Sequence, residues 1–143
     1  MRLILSALLV TLGVAPVSQP APQPVPFKTL ESGTQSDIEQ PREAVARTAE
    51  EWKALCTAHQ GGRPCPRVDI ARATVIGVFL GTRPTAGFSV EIARIDRDGD
   101  ALVVTYREHA PAADQMVAQM ITMPFQLVTI DRFAGPIRFA RLK

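Results

Sequence analysis

Residues 74–106 read Thr74-Val75-Ile76-Gly77-Val78-Phe79-Leu80, Gly81-Thr82-Arg83-Pro84-Thr85-Ala86-Gly87, then Phe88-Ser89-Val90-Glu91-Ile92-Ala93-Arg94-Ile95-Asp96-Arg97-Asp98-Gly99-Asp100-Ala101-Leu102-Val103-Val104-Thr105-Tyr106. The run 74–80 is apolar, rich in β-branched residues and closed by Gly81, as expected of a well-buried strand. In 88–95 apolar and polar residues alternate with one slip near Ala93, which predicts a half-buried strand. Asp98-Gly99 is a two-residue hairpin signal, and 102–106 is expected to return antiparallel.

Beyond the turn at Pro111, residues 115–122 and 125–130 read as two further strands, and 137–140 as a closing one. Upstream, 27–30 is a short strand and 42–47 suits a sheet edge. Thr48 followed by Glu51 is a capping box that opens a helix over 49–59, with Gly61 and Gly62 to end it. Trp52, Leu55 and Cys56 share one face of that helix, which should lie on a sheet. The whole pattern predicts a mainly β (α+β) chain, an antiparallel immunoglobulin-like β-sandwich or barrel with one N-terminal helix packed on it.

The chain of 143 residues has room for one domain, and 46% apolar with 21% charged residues is a globular composition. The net charge of +2 is spread out, without the clustered cations a phosphate backbone requires, so no nucleic-acid partner is expected. Arg2 followed by the apolar stretch 3–14 resembles a secretory leader, and a signal peptide is expected over 1–20; a buried N-terminal helix is the alternative. The apolar stretch is too short to span a bilayer, so no stable membrane insertion follows processing. Five prolines within 16–26 predict an extended tether at 21–26, leaving 27–143 as the domain. The expected location is therefore periplasmic or extracellular. In such an oxidising compartment Cys56 and Cys65 are expected to form a disulfide; two free thiols, or a metal site with His59 that lacks a fourth ligand, are the alternatives.

Groups that could carry chemistry are few. His59 and His109, the two histidines, both read as solvated or capping residues. A Cys56–His59 dyad needs a free thiolate that pairing removes. Asp96, Asp98 and Asp100 lack the spacing of a calcium loop and read as a decorated hairpin tip. No Gly-rich phosphate loop joins a strand to a helix. Neither enzymatic activity nor a cofactor or metal is expected.

The loop 81–88 is the unusual segment: Pro84 fixes its own φ while Gly81 and Gly87 open conformations closed to other residues. A rigid loop presenting Thr82 and Arg83 loses little entropy on binding, though a purely structural turn has the same composition.

The stretch from Gly81 through Ile92, with the hairpin, the Pro loop and Met123-Pro124-Phe125, resembles the PrcB C-terminal domain family, as do Ser36-Asp37-Ile38-Glu39, Glu51-Trp52 and His59. Ala86 and Phe88 stand where that pattern is expected to carry Gly and Tyr. The resemblance implies an exported, non-enzymatic protein named for stabilising a secreted protease complex. Its partner would be an exported protease or an envelope protein, and the resemblance carries no catalytic residues. Arg83-Pro84-Thr85-Ala86-Gly87-Phe88 is also similar to a loop of chagasin-like inhibitors of cysteine proteases, whose other contact loops are missing here. On either reading the expected contact surface is Thr82, Arg83, Pro84, Thr85, Gly87 and Phe88 with Met123, Pro124 and Phe125.

Overall fold

Strand β4, Ala73–Phe79, is the centre of the molecule, and its alternation explains the architecture. Val75 and Phe79 point to one side, where they meet Trp52, Leu55 and Cys56 of the helix. Ile76, Val78 and the following Leu80 point to the other, against a second sheet. Both faces are covered, so the run carries no polar alternation.

A computed structural model describes residues 13–143. The elements are β1 Gln23–Pro24, β2 Lys28–Gly33, β3 Arg42–Ala46, α1 Ala49–Gln60, β4, β5 Ser89–Asp98, β6 Ala101–His109, β7 Phe125–Asp131 and β8 Ile137–Leu142. They form two four-stranded sheets, ordered β1-β5-β6-β8 and β2-β7-β4-β3, packed as a β-sandwich with one helix outside the second sheet. Most of the expected leader falls on residues 1–12, outside the described residues. Among the described residues no helix is long and apolar enough to cross a membrane.

The inter-sheet core joins Ile76, Val78, Val128 and Ile130 to Ile92, Ile95, Leu102 and Val104. Each such side chain, fully buried, contributes about 1.5–3 kcal/mol. The helix is capped as its sequence implies, with Thr48 Oγ1 accepting from the Glu51 amide and Gly61 closing the C-terminus at φ 58°. Its 12 residues would be marginal alone, so packing on β4 and β7 sustains it. The bond between Cys56 and Cys65 also holds the segment that follows it.

Several expectations need correction. Residues 115–122 form no strand: β4 and β6 already have partners on both sides, and Gln, Met and Ala fit a pleated surface poorly. The sandwich is not wholly antiparallel, because the chain leaves β6, runs through β7 in the opposite sheet and returns as β8 parallel to β6. The tether is not free throughout, since Gln23–Pro24 pair with Arg97 and Asp96 of β5. The hairpin turn is centred on Gly99-Asp100, one residue later than Asp98-Gly99, with Gly99 at φ 64° as the first central residue.

Candidate functional site

At one end of the sandwich the loop 81–88 lies between residues 39–41 and 118–124. Arg83 N–H donates to Thr122 O at 2.7 Å and Thr122 N–H returns a bond to Arg83 O at 3.0 Å. The Ala86 amide donates to Ala118 O, the Thr82 amide to Glu39 O, and Thr122 Oγ1 to Thr85 O. Both loop glycines are required by contact as well as by backbone angle. A Cβ on Gly81 (φ 75°) would lie 2.7 Å from Glu39 O, and one on Gly87 (φ 90°) 2.9 Å from Pro111. The segment is therefore held rigid on two sides.

The structure brings 81–88 beside 122–125, but not as one exposed patch. Thr82, Pro84 and Gly87 are exposed, and Arg83, Thr85, Phe88 and Met123 half-buried. Pro124 is buried. Phe125 is interior, 4% exposed, with its ring 4.1 Å from His59 and 6.1 Å from Phe79, so neither Pro124 nor Phe125 can meet a partner. Nor is Arg83 a free cation. Its guanidinium grips Glu108, with Nε to Oε1 at 2.6 Å and Nη2 to Oε2 at 3.1 Å, and also donates to Leu80 O.

The apolar side chains exposed on the segment beside the loop are ones the sequence does not single out. Beyond Val14 and Val17, the exposed large hydrophobics among the described residues are Met116, Met120 and Ile121, at 98, 48 and 63%. All three lie on the segment clipped to the loop. The signal available for finding them was the poor strand composition of 115–122.

Around the corner from the loop, an open groove of about 420 Å³ runs between β3 and β8, with Phe79 and Leu80 beneath Arg42, Glu43, Arg83, Tyr106 and Arg141. Arg141 also binds Glu108, so two guanidinium groups share one carboxylate. The bond from Arg83 holds the Glu108 carboxyl below its ordinary range and, reciprocally, raises the guanidinium. Tyr106 donates to Glu43 at 2.7 Å; burial first, then that carboxylate, pushes the phenol up to about 12.

His59 is not solvated but 1% exposed, enclosed by Phe79 and Phe125. Its Nδ1 lies 2.8 Å from Ser36 Oγ, which also accepts from the Ile38 amide. Nε2 faces Glu31 at 3.6 Å, beyond hydrogen-bonding distance. Burial lowers its pKa, against the opposing pull of Glu31. Serine, histidine and glutamate thus meet, yet Ser36 is 2% exposed and the trio pins the 31–38 segment to the helix end. Asp96 and Asp98 pair with Arg94 and Arg138, and among the described residues no group of three possible ligands could hold a metal.

A two-sheet sandwich with one helix and a loop-built rim is the class of domain defined here. Residues 74–131 match the family model described as PrcB C-terminal. The matched stretch includes the loop 81–88 and the segment 115–125, but not Ser36 to Glu39, Trp52 or His59. A search of the curated proteins and of the solved structures found no match.

Proposed function

We propose that this chain is an exported, non-enzymatic protein-binding domain, an accessory subunit that stabilises a secreted protease complex. Its contact face joins Thr82, Pro84 and Gly87 to Met116, Met120 and Ile121. The observation that carries the reading is the concentration of exposed large apolar side chains on one segment, clipped to a rigid loop. Side chains of that kind, presented with little entropy to lose, suit a protein partner. The family match over residues 74–131 supports the accessory role, while the leader-like N-terminus and the disulfide support export.

The test is affinity capture from the extracytoplasmic fraction with wild type and with Met116→Asp/Ile121→Asp, whose side chains are exposed. The partner should be lost from the variant while its melting temperature holds. Unchanged capture would remove this face from consideration. Titration of the captured protease then separates the roles: a stabiliser prolongs its lifetime, whereas a chagasin-like inhibitor lowers turnover stoichiometrically.

A further inference from the structure

We infer that the open side of β8, beside the groove, accepts an extended segment of another polypeptide as an added antiparallel strand, with an acidic side chain seated against Arg141. This surface adjoins the loop through Arg83, which shares Glu108 with Arg141, but uses none of Thr82, Pro84, Gly87, Met116, Met120 or Ile121.

Strand β8 ends its sheet, with β6 as its only partner among the described residues. The amide of Leu102 donates to Pro136 O at 2.9 Å and starts the parallel ladder. Alternation then commits the peptide groups of Arg138, Ala140 and Leu142 to β6. Those of Ile137, Phe139 and Arg141 face outward. Unpaired strand edges of this kind are templates for another strand.

The side chains specify what that strand should carry. Ile137 and Phe139 lean on the inter-sheet core while remaining only half-buried, so an incoming strand gains by placing apolar residues beside them. Arg141 lies on the same face, at the groove, with its side chain 55% exposed. Because Arg141 and Arg83 share the single carboxylate of Glu108, the cluster keeps one positive charge in excess. Read antiparallel, the occupant is acidic-x-apolar-x-apolar, the acid opposite Arg141 and the apolar residues opposite Phe139 and Ile137.

A second copy fits poorly. Residues 137–143 include Arg138, Arg141 and Lys143 and no acid, so two β8 edges would bring like charges together.

The experiment uses the whole chain and a labelled synthetic peptide, Gly-Ser-Glu-Thr-Val-Thr-Val-Ser-Gly. Controls carry Lys in place of Glu, or N-methyl groups on the amides that would enter the ladder. Saturable binding of the acidic peptide is expected, with shifts of the Phe139 and Arg141 backbone amides in the NMR spectrum. Arg141→Ala leaves Glu108 paired with Arg83 and should weaken binding about tenfold, the loss expected for one charge-assisted contact. N-methylation should abolish it. The proposal is overturned if the acidic peptide fails to bind, if the Lys peptide binds equally well, or if sedimentation shows copies of the chain pairing through β8 instead.

Discussion

The hydroxyl of Tyr106 on β6 donates to Glu43 on β3, a bond of 2.7 Å between the two sheets in the lining of the groove. Tyr106 is the only tyrosine, so phenolate absorbance reports this phenol alone. Its titration is expected near 12 instead of 10.0. A folded-state pKa above the unfolded one means that the stabilisation is complete below the unfolded value and lost as pH rises through the folded one. Glu43→Gln should move the midpoint down. A wild-type midpoint at the ordinary value would show the phenol to be solvated.

Acid should weaken the fold through His59. Its pKa lies below 6.5 when folded, so the associated stabilisation is complete above 6.5 and lost as pH falls through the lower, folded value. Urea unfolding followed by fluorescence of Trp52, the single tryptophan, measures this directly. In His59→Leu that part of the pH slope should vanish, even if overall stability drops. An identical slope in both proteins would assign the acid sensitivity to other groups, Glu108 among them at more acidic pH.

The disulfide closes a loop of ten residues, counting both cysteines from their separation of 9. The chain-entropy estimate for that closure is about 2.7 kcal/mol, which Cys56→Ala/Cys65→Ala should lose in denaturant unfolding. Identical midpoints with and without the bond would mean that the helix end is held by packing alone.

Trp52 is 7% exposed and its indole N–H donates to Pro66 O at 3.2 Å. Trp52→Ala should cost about 3–5 kcal/mol, read by circular dichroism since the fluorophore is gone. An unchanged melting temperature would contradict the docking of the helix on β4.

Replacing Arg83 cannot serve as a test of binding alone. Arg83→Ala removes the bidentate partner of Glu108 and a bond to Leu80 O, leaving Arg141 on the carboxylate. The expected cost is about 1–3 kcal/mol in thermal or denaturant unfolding. A stability equal to wild type would show that Arg141 compensates fully.

The elements most legible in the sequence were those whose signals are local. The Thr48–Glu51 capping box, the Trp52 and Leu55 face and the uninterrupted apolar run of β4 each state their own environment within a few residues. The Cys56–Cys65 pair was readable for the same reason. What stayed hidden depends on distant neighbours. Nothing near Ile137 announces a parallel partner, and nothing near Phe125 distinguishes a core ring from a loop anchor until His59 and Phe79 are seen around it. Met116 and Ile121 look like strand residues because their apolarity is local, whereas the strand order that leaves them out of both sheets is global. His59 reads as solvated from its helix end alone, because its burial comes from two strands remote in sequence.

The parallel pairing of β8 also separates local from long-range closure within one sheet. The hairpin of β5 and β6 joins adjacent residues and can close within microseconds. The side of β6 that receives β8 is closed only by a strand from farther along the chain, beyond the passage through β7 in the opposite sheet. Until that strand docks, Leu102, Val103, Val104 and Thr105 form an uncovered apolar edge, open to the same segment of another molecule. Refolding yield should therefore fall as protein concentration rises, because that edge is open in any molecule in which β8 has not yet docked.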